Sequence, residues 1–279
     1  MTNLMNERFR VSGNRLGLVA IHVGALAAFI PATFNWSGPI VAAVVLYLTG
    51  ALGVTLCYHR TLTHRGLRIR KPLEYALAIL GALALQGDPI RWVATHRKHH
   101  AHSDAAGDPH GRNISFRWAH FRWLIETNEA MPTTEELAHF APDLQRERFY
   151  RVLQHIHAPM QLLLAGLLFA LGGWTWVIWG IFVRLVISYH ATWLVNSAAH
   201  SLGYRTYRTG DLSTNCWWVA LLAWGEGWHN NHHAFPYSAR HGLRWFEIDL
   251  TWWNVRLLAF LKLADRVRLP TAVAMRRTV

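Results

Sequence analysis

The 279-residue chain predicts an all-α membrane protein, with four transmembrane helices and a histidine-rich cytosolic cap. Three observations support this. No Asp, Glu, Lys or Arg occurs in the 44 residues from Leu16 to His59. From Val152 to Tyr204 the only such residue is Arg184. The 28 Lys and Arg gather mostly outside these runs, so a chain that is 52% hydrophobic still carries a formal charge of +12. As helix, the first run would extend about 66 Å, which is two bilayer crossings and a turn. Uncharged runs of this length exclude an ordinary soluble fold.

Turn residues divide each run. Pro31 and the stretch Asn35-Trp36-Ser37-Gly38-Pro39 break the first, and Gly172-Gly173 breaks the second. The expected membrane helices therefore lie near 16–34, 39–58, 157–171 and 174–195. Arg8, Arg10 and Arg15 precede the first, and the polar regions 59–156 and 196–279 are rich in Arg. The positive-inside rule then places both termini and both polar regions in the cytoplasm. The whole chain, 1–279, reads as one integral-membrane domain. The first run lacks a small-residue cleavage site and leads into a second apolar run, so it is not a signal peptide. The charge suits an anionic lipid surface, and no nucleic-acid partner is expected.

Within the cap, the apolar stretch from Pro72 to Leu85 is too short to span and is expected to lie at the interface or dip into the protein. Thr133 and Thr134 before Glu135-Glu136 mark a helix start. Residues 245–263 mix aromatics with Arg256 and Lys262, as an interfacial helix does. Cys57 and Cys216 are isolated, which excludes a disulfide framework and a thiolate metal site.

Nine of the 18 histidines fall in clusters. His59 and His64 sit in HRTLTH, His96, His99 and His100 in HRKHH, and His229, His232 and His233 in HNNHH; His200 closes NSAAH. The i, i+3, i+4 spacing of the second and third clusters puts three rings on one helical face. The i, i+5 spacing of the first is about 140° on a straight α-helix, so His59 is expected to end a helix and His64 to return from the following turn. All nine fall at the cytoplasmic ends of the expected membrane helices. Imidazole suits zinc, copper, iron and nickel, and nine ligands exceed the needs of one ion and match two. A nitrogen-rich, thiolate-free pair of metals in a membrane suits iron activating O₂. Asp104, Asp108 and Glu226 are candidates to orient metal-bound rings, and equally candidates for helix caps or surface ion pairs. His22, His110, His120, His139, His155, His157, His190 and His241 have no cluster to support them and read as hydrogen-bonded polar residues; His102 is undecided.

Taken together, HRTLTHR, THRKHHAHSDAAGDPHG, WLVNSAAH and GEGWHNNHHAFP resemble the membrane fatty-acyl desaturases of the stearoyl (Δ9) type, over about residues 35–270. The tail FEIDLTWWNVRLLAFLKLADRV is similar to the bacterial and cyanobacterial acyl-lipid branch. The resemblance implies a di-iron centre, two Fe²⁺ ions when reduced. His59, His64, His96, His100 and His232 would hold one iron and His99, His200, His229 and His233 the other, with Asn196 reaching the second through a water. It implies an O₂-dependent enzyme that places a cis double bond in a saturated acyl chain. Gln86, Trp92, Thr192 and Trp193 would line the bend of the acyl tunnel, although Trp92 and Trp193 also read as bilayer-interface anchors. In the acyl-CoA enzymes of animals an Arg-Asp pair precedes the second box. Here Ala94 and Thr95 stand there, which favours acyl chains on membrane glycerolipids over acyl-CoA. Arg146, Arg148 and Arg151 suit either a CoA phosphate or anionic headgroups. With no fused cytochrome b5-like domain and no flavin or nicotinamide fingerprint, electrons are expected from a separate carrier. A basic face would steer an acidic one such as ferredoxin, with a cytochrome b5-like carrier as the other option.

Two other readings compete. A membrane di-iron hydroxylase of fatty-acyl chains or alkanes shares the metal chemistry. A metal transporter or store would carry its ligands near the bilayer midplane, where this sequence places only Arg184.

Overall fold

The computed structural model describes residues 2–111 and 113–277, with side chains from Val11 to Arg276, so the side chains of Arg8 and Arg10 lie outside it. It is mostly helical. Three helices are long and apolar enough to cross a membrane: Val11–Phe29, Ser37–Thr63 and Met160–His200. The third is 41 residues long and is interrupted at Gly173, whose φ of 62° and ψ of −156° break the helical path. The Gly172-Gly173 break read from the sequence therefore falls in the right place.

The first helix, α1 (Thr2–Leu26), starts well before the expected residue 16 and stops before residue 34. Two 3₁₀ turns, Ala27–Phe29 and Pro31–Thr33, replace its end. Pro31 opens the second turn, where its missing N–H costs nothing. The polar start of α1 is held by the cap, with Asn14 Nδ2 donating to Leu124 O (2.9 Å) and Arg15 Nε to Ile125 O (2.5 Å).

The second helix, α2 (Ser37–Leu46), continues without a stop as a π-helical segment, Tyr47–Thr63. The expectation that the helix ends at His59 is thus corrected. A wider helix bonds i to i+5, and His64 N–H donates to His59 O at 3.1 Å. Thr61 and Thr63 hydroxyls add bonds to Leu56 O and Tyr58 O, also five residues back.

After a short strand β1 (Arg68–Ile69), α3 (Lys71–Ala82) lies against the π-helical segment. The approach requires two glycines, because a Cβ at Gly53 would collide with Gly81 N and one at Gly81 with the Tyr58 ring. Cys57, Leu77, Ala78, Ile90 and Val93 belong to the buried core around this contact. The helix dips inward, as its apolar sequence suggested, and ends beside Arg184. The fully buried Arg184 donates Nη1 to Leu83 O (2.7 Å), Nε to Gly180 O (2.9 Å) and Nη2 to Gln161 Oε1 (3.3 Å). A cation at a helix C-terminus is electrostatically favoured.

The rest of the cap is short helices. They are α4 (Pro89–His102), α5 (Trp118–Arg122, continuing through Trp123–Ile125), α6 (Thr134–Phe140), α7 (Pro142–Arg146) and α8 (Arg148–Ile156). Asp88 caps α4 by accepting from Arg91 N, and Thr133 with Glu136 forms a full capping box for α6. The long apolar run comprises α9 (Met160–Val177), a π-helical link Ile178–Val183, α10 (Arg184–Ser197) and a 3₁₀ turn Ala198–His200. Then follow α11 (Trp217–Leu222), α12 (His229–Ala234), α13 (Leu250–Phe260) and α14 (Ala272–Arg277). Strand β2 (Ala264–Asp265) pairs antiparallel with β1, Arg68 opposite Asp265. The helix expected over 245–263 is shorter, Leu250–Phe260, and Trp245 and Phe260, 92% and 82% exposed, leave large apolar side chains on the surface of this segment.

Candidate metal centre and apolar cavity

Four helix ends build the centre. The π-helical end of α2 carries His59 and His64, α4 carries His96, His99 and His100, the end of α10 leads to His200, and α12 carries His229, His232 and His233. The π winding brings His59 and His64 together, with ring centroids 4.8 Å apart. The structure gathers the nine predicted histidines into two groups. In one, the donor nitrogens of His59, His64, His96, His100 and His232 all lie within 4.8 Å of one another; in the other, those of His99, His200, His229 and His233 do.

The rings face each other through Nε2. His59 Nε2 is 2.9 Å from His96 Nε2 and 3.2 Å from His232 Nε2, and His233 Nε2 is 3.0 Å from His229 Nε2. The outward nitrogens are engaged by carboxylates. His59 Nδ1 lies 2.6 Å from Glu226, His99 Nδ1 2.9 Å from Asp108, and His200 Nδ1 2.6 Å from Asp104. Asp108 and Asp104 accept the Nδ1 proton and leave the Nε2 lone pair pointing inward, and Glu226 stands at ion-pair distance from His59 Nδ1. The buried Nε2 atoms of His64, His99 and His200 have no hydrogen-bond partner in the protein. Converging lone pairs on buried, orphaned nitrogens repel unless a cation lies among them, so this donor set fits metal ions.

The electrostatics agree. Burial, then the neighbouring imidazoles, holds His64, His96, His100, His229 and His232 well below the usual histidine range, so these rings are neutral. Burial also pushes His233 down to about 4, although Asp211 pulls it upward. For His99, Asp108 overcomes burial and raises the ring.

All three carboxylates proposed from the sequence thus reach rings, and a fourth was missed: Asp211 accepts from His233 Nδ1 at 2.6 Å. The available signal was slight, since Asp211 and Glu226 are the only acidic residues between His200 and His229. His110 and His241, read as ordinary polar residues, pack against His99 and His232 at 4.3 and 4.4 Å between ring centroids. The undecided His102 is exposed at the end of α4.

Beneath this shell lies a buried ionic cluster. Arg60, fully buried, donates to Glu226 and to both oxygens of Asp249 at 2.9–3.1 Å. Asp249 also accepts from His241 N and caps α13 through Trp252 N. Arg97, inside the second box, donates to Leu62 O, Thr63 O and Asp143, which ties α4 to the turn between His59 and His64.

A cavity of about 500 Å³ runs from His96 and Asn196 into the helices. Gln86, Trp92, Thr192 and Trp193 all line it. Gln86 Nε2 donates to Thr192 Oγ1 (2.9 Å) and Ser188 Oγ (3.1 Å), and Trp92 stacks on His96 at 5.2 Å. A larger cavity, about 610 Å³, opens among Ala25, Phe29, Trp179 and Ile187 and touches none of the nine histidines, so of these two the first adjoins the histidine groups.

Fold and site define an apolar helical enzyme in which a cluster of histidines faces a mostly apolar cavity. The chain belongs to the fatty acid desaturase family, whose model matches residues 34–264. It is 53% identical to the sn-1 stearoyl-lipid 9-desaturase of Anabaena variabilis, over 92% of this chain and 93% of that one. A protein of the same description from Synechocystis is 47% identical over 92% of this chain and 80% of its own. An acyl-CoA 5-desaturase of Anemone leveillei is 45% identical over 92% and 79%. The chain is therefore a fatty-acyl desaturase, an oxidoreductase, and the hydroxylase reading is not favoured.

Proposed function

We propose that this protein introduces a cis double bond at position 9 of a saturated acyl chain carried on a membrane glycerolipid. The carrying observation is the pair of histidine groups at the head of the apolar cavity. The five-histidine group would hold one iron and the four-histidine group the other, with Asn196 reaching the second through a water. Two bound irons, reduced by an external carrier, supply the O₂ activation that removes hydrogen from an unactivated chain. The reaction balances as one CH₂–CH₂ pair, O₂, two electrons and two protons giving CH=CH and two waters.

The protein's own contribution is position and dryness. The carboxylates Asp108, Asp104 and Asp211 fix the tautomers of the rings they bond, and Glu226 faces His59 Nδ1. Trp92, Gln86, Thr192 and Trp193 hold the bend of the acyl chain against the centre, and the mostly apolar lining disfavours water. Ala94 and Thr95 are both buried and uncharged and Thr95 lines the cavity, so no Arg-Asp pair meets a thioester carrier there. This favours a glycerolipid, in line with the Anabaena relative's name. Four membrane crossings, with the break at Gly173 dividing the last two, would place both termini and the metal centre on the cytoplasmic side. Exposed Arg146, Arg148 and Arg151 would then face anionic headgroups or an acidic donor such as ferredoxin.

The test is a fatty-acid profile of a bacterium that contains a working reductant and expresses this chain, beside His232→Ala. Mass spectrometry with double-bond localisation should find a new 9-monounsaturated acid, first in glycerolipid and absent in the variant. Appearance first in acyl-CoA would overturn the carrier, and an added oxygen would overturn desaturation.

A further inference from the structure

Three histidines outside the metal centre form a chain between helices. His22 (α1) Nδ1 lies 2.7 Å from Leu18 O, and its Nε2 lies 3.2 Å from His190 Nε2 (α10). His190 Nδ1 lies 3.0 Å from His120 Nε2 (α5), and His120 Nδ1 lies 2.9 Å from Ser197 Oγ. A metal site uses one nitrogen from each ring converging on a point. Here His190 and His120 each use both nitrogens in series, so this is a wire of hydrogen bonds and not a ligand set.

The first bond decides all the others. A carbonyl only accepts, so His22 carries its proton on Nδ1 and offers a lone pair at Nε2. His190 must then donate from Nε2, which leaves its Nδ1 as acceptor. His120 must donate from Nε2 in turn, leaving its Nδ1 to accept from Ser197 O–H, whose one proton is shared with Trp193 O at 2.8 Å. The two ring-to-ring bonds therefore run one way, from His120 through His190 to His22. Burial and the adjacent His190 lower the His120 pKa. No carboxylate appears among the bonded partners of the three rings in the described residues, and ionisable side chains within apolar spans are seldom kept without a function.

The chain ends against the reactive region. His120 and His190 present their rings edge-on to Trp193, at 5.7 and 5.2 Å and both at 75°, while Tyr189 stacks on the indole at 5.4 Å. Ser197 adjoins Asn196 and opens the turn that ends at His200. We propose that His22, His190 and His120 are positioning residues: their directed chain fixes the Trp193 indole and the Asn196–His200 turn, and so selects which carbons of the acyl chain meet the centre. This rests on the reading of Trp193 as part of the tunnel bend.

The experiment compares His190→Leu with His190→Gln, measuring iron per chain, thermal midpoint, kcat, KM and double-bond position. Leucine removes both bonds. Glutamine restores them with the same polarity, an N–H toward His22 and an oxygen toward His120, but carries no proton. His190→Leu should keep two irons yet give mixed positional isomers and a kcat lowered ~10-fold or more, with KM little changed. His190→Gln should recover a single isomer. A single wild-type isomer at wild-type kcat from His190→Leu would overturn the proposal. So would an iron-loaded His190→Gln as defective as leucine, since a mobile proton would then be required. If His190→Leu does not fold, Ser197→Ala removes the terminal hydroxyl with its contacts to His120 and Trp193 O; mixed isomers support the chain and an unchanged isomer sinks it. A wild-type product bearing oxygen would instead refute desaturation itself, a separable failure.

Discussion

At the scale of single residues, the centre depends on what stands behind each histidine. Asp211 and Asp104 are separated from the rings they hold by 22 and 96 residues of sequence, and each holds one ring of the four-histidine group. Losing such a partner typically weakens metal affinity 10–100-fold. Asp211→Asn should therefore lower the iron count per chain from two toward one, read by mass spectrometry of metals after dialysis, while the five-histidine group stays loaded. Equal loss of both irons would show that Asp211 supports the fold and not one group. Arg184 belongs to the same scale. It makes three hydrogen bonds to oxygens and has no carboxylate partner among the described residues, and it satisfies the end of α3. Arg184→Leu removes the cation but leaves Leu83 O with only Gln161, so a loss of about 1–3 kcal/mol is expected from unfolding in detergent.

At the scale of elements, the joints between helices decide where the boxes point. The junction between α4 and the His59–His64 turn is held by Arg97, and Arg97 is held by Asp143. Asp143 is partly buried, which works against its charge, yet hydrogen bonds and charge from Arg97 and Arg65 bring its pKa down to about 2. A carboxylate with a depressed folded pKa contributes stability that is fully present above its ordinary value near 4 and is lost as pH falls through about 2. The contribution is about 1–2 kcal/mol after allowance for solvent screening. Thermal midpoints of the wild type should fall across this window more steeply than those of Asp143→Asn, and parallel curves would refute the assignment. The π-helical segment is the other joint. Its extra residue per turn makes i, i+5 a same-face spacing, and so turns HRTLTH from an awkward pair into two rings on one centre.

For the whole molecule, metal and fold should be coupled. Nine imidazole rings are drawn from four separate helix ends, and without cations their inward nitrogens oppose one another. Ligand that binds only the folded state stabilises it by RT ln(1 + [L]/Kd), about 2.7 kcal/mol at one hundred times Kd. Titrating Fe²⁺ into chelator-treated protein should raise the thermal midpoint with concentration, and His232→Ala should blunt the rise. A midpoint indifferent to iron would mean that the cap is held by its ionic cluster alone, through Arg60, Glu226 and Asp249.

Much of this was legible in the chain before any coordinates. Charge-free runs announce apolar helices because burying a charge in hydrocarbon is costly, and glycine and proline mark their breaks because they cannot continue a helical path. Histidine spacing announces a shared face, because ring directions along a helix repeat locally. Those signals are written in neighbouring residues, and the two histidine groups have the memberships expected from family resemblance. What the chain could not reveal lies between residues distant in sequence. Asp211 behind His233, Arg184 at the end of α3, and the path from His22 through His190 to His120 exist only once separate helices pack. The π winding of Tyr47–Thr63 is also a tertiary decision, because no spacing rule distinguishes a widened helix from an ended one. Local pattern determined which histidines cluster, because it is written in neighbouring residues, and packing decided which of their nitrogens converge, because that requires separate helices to meet.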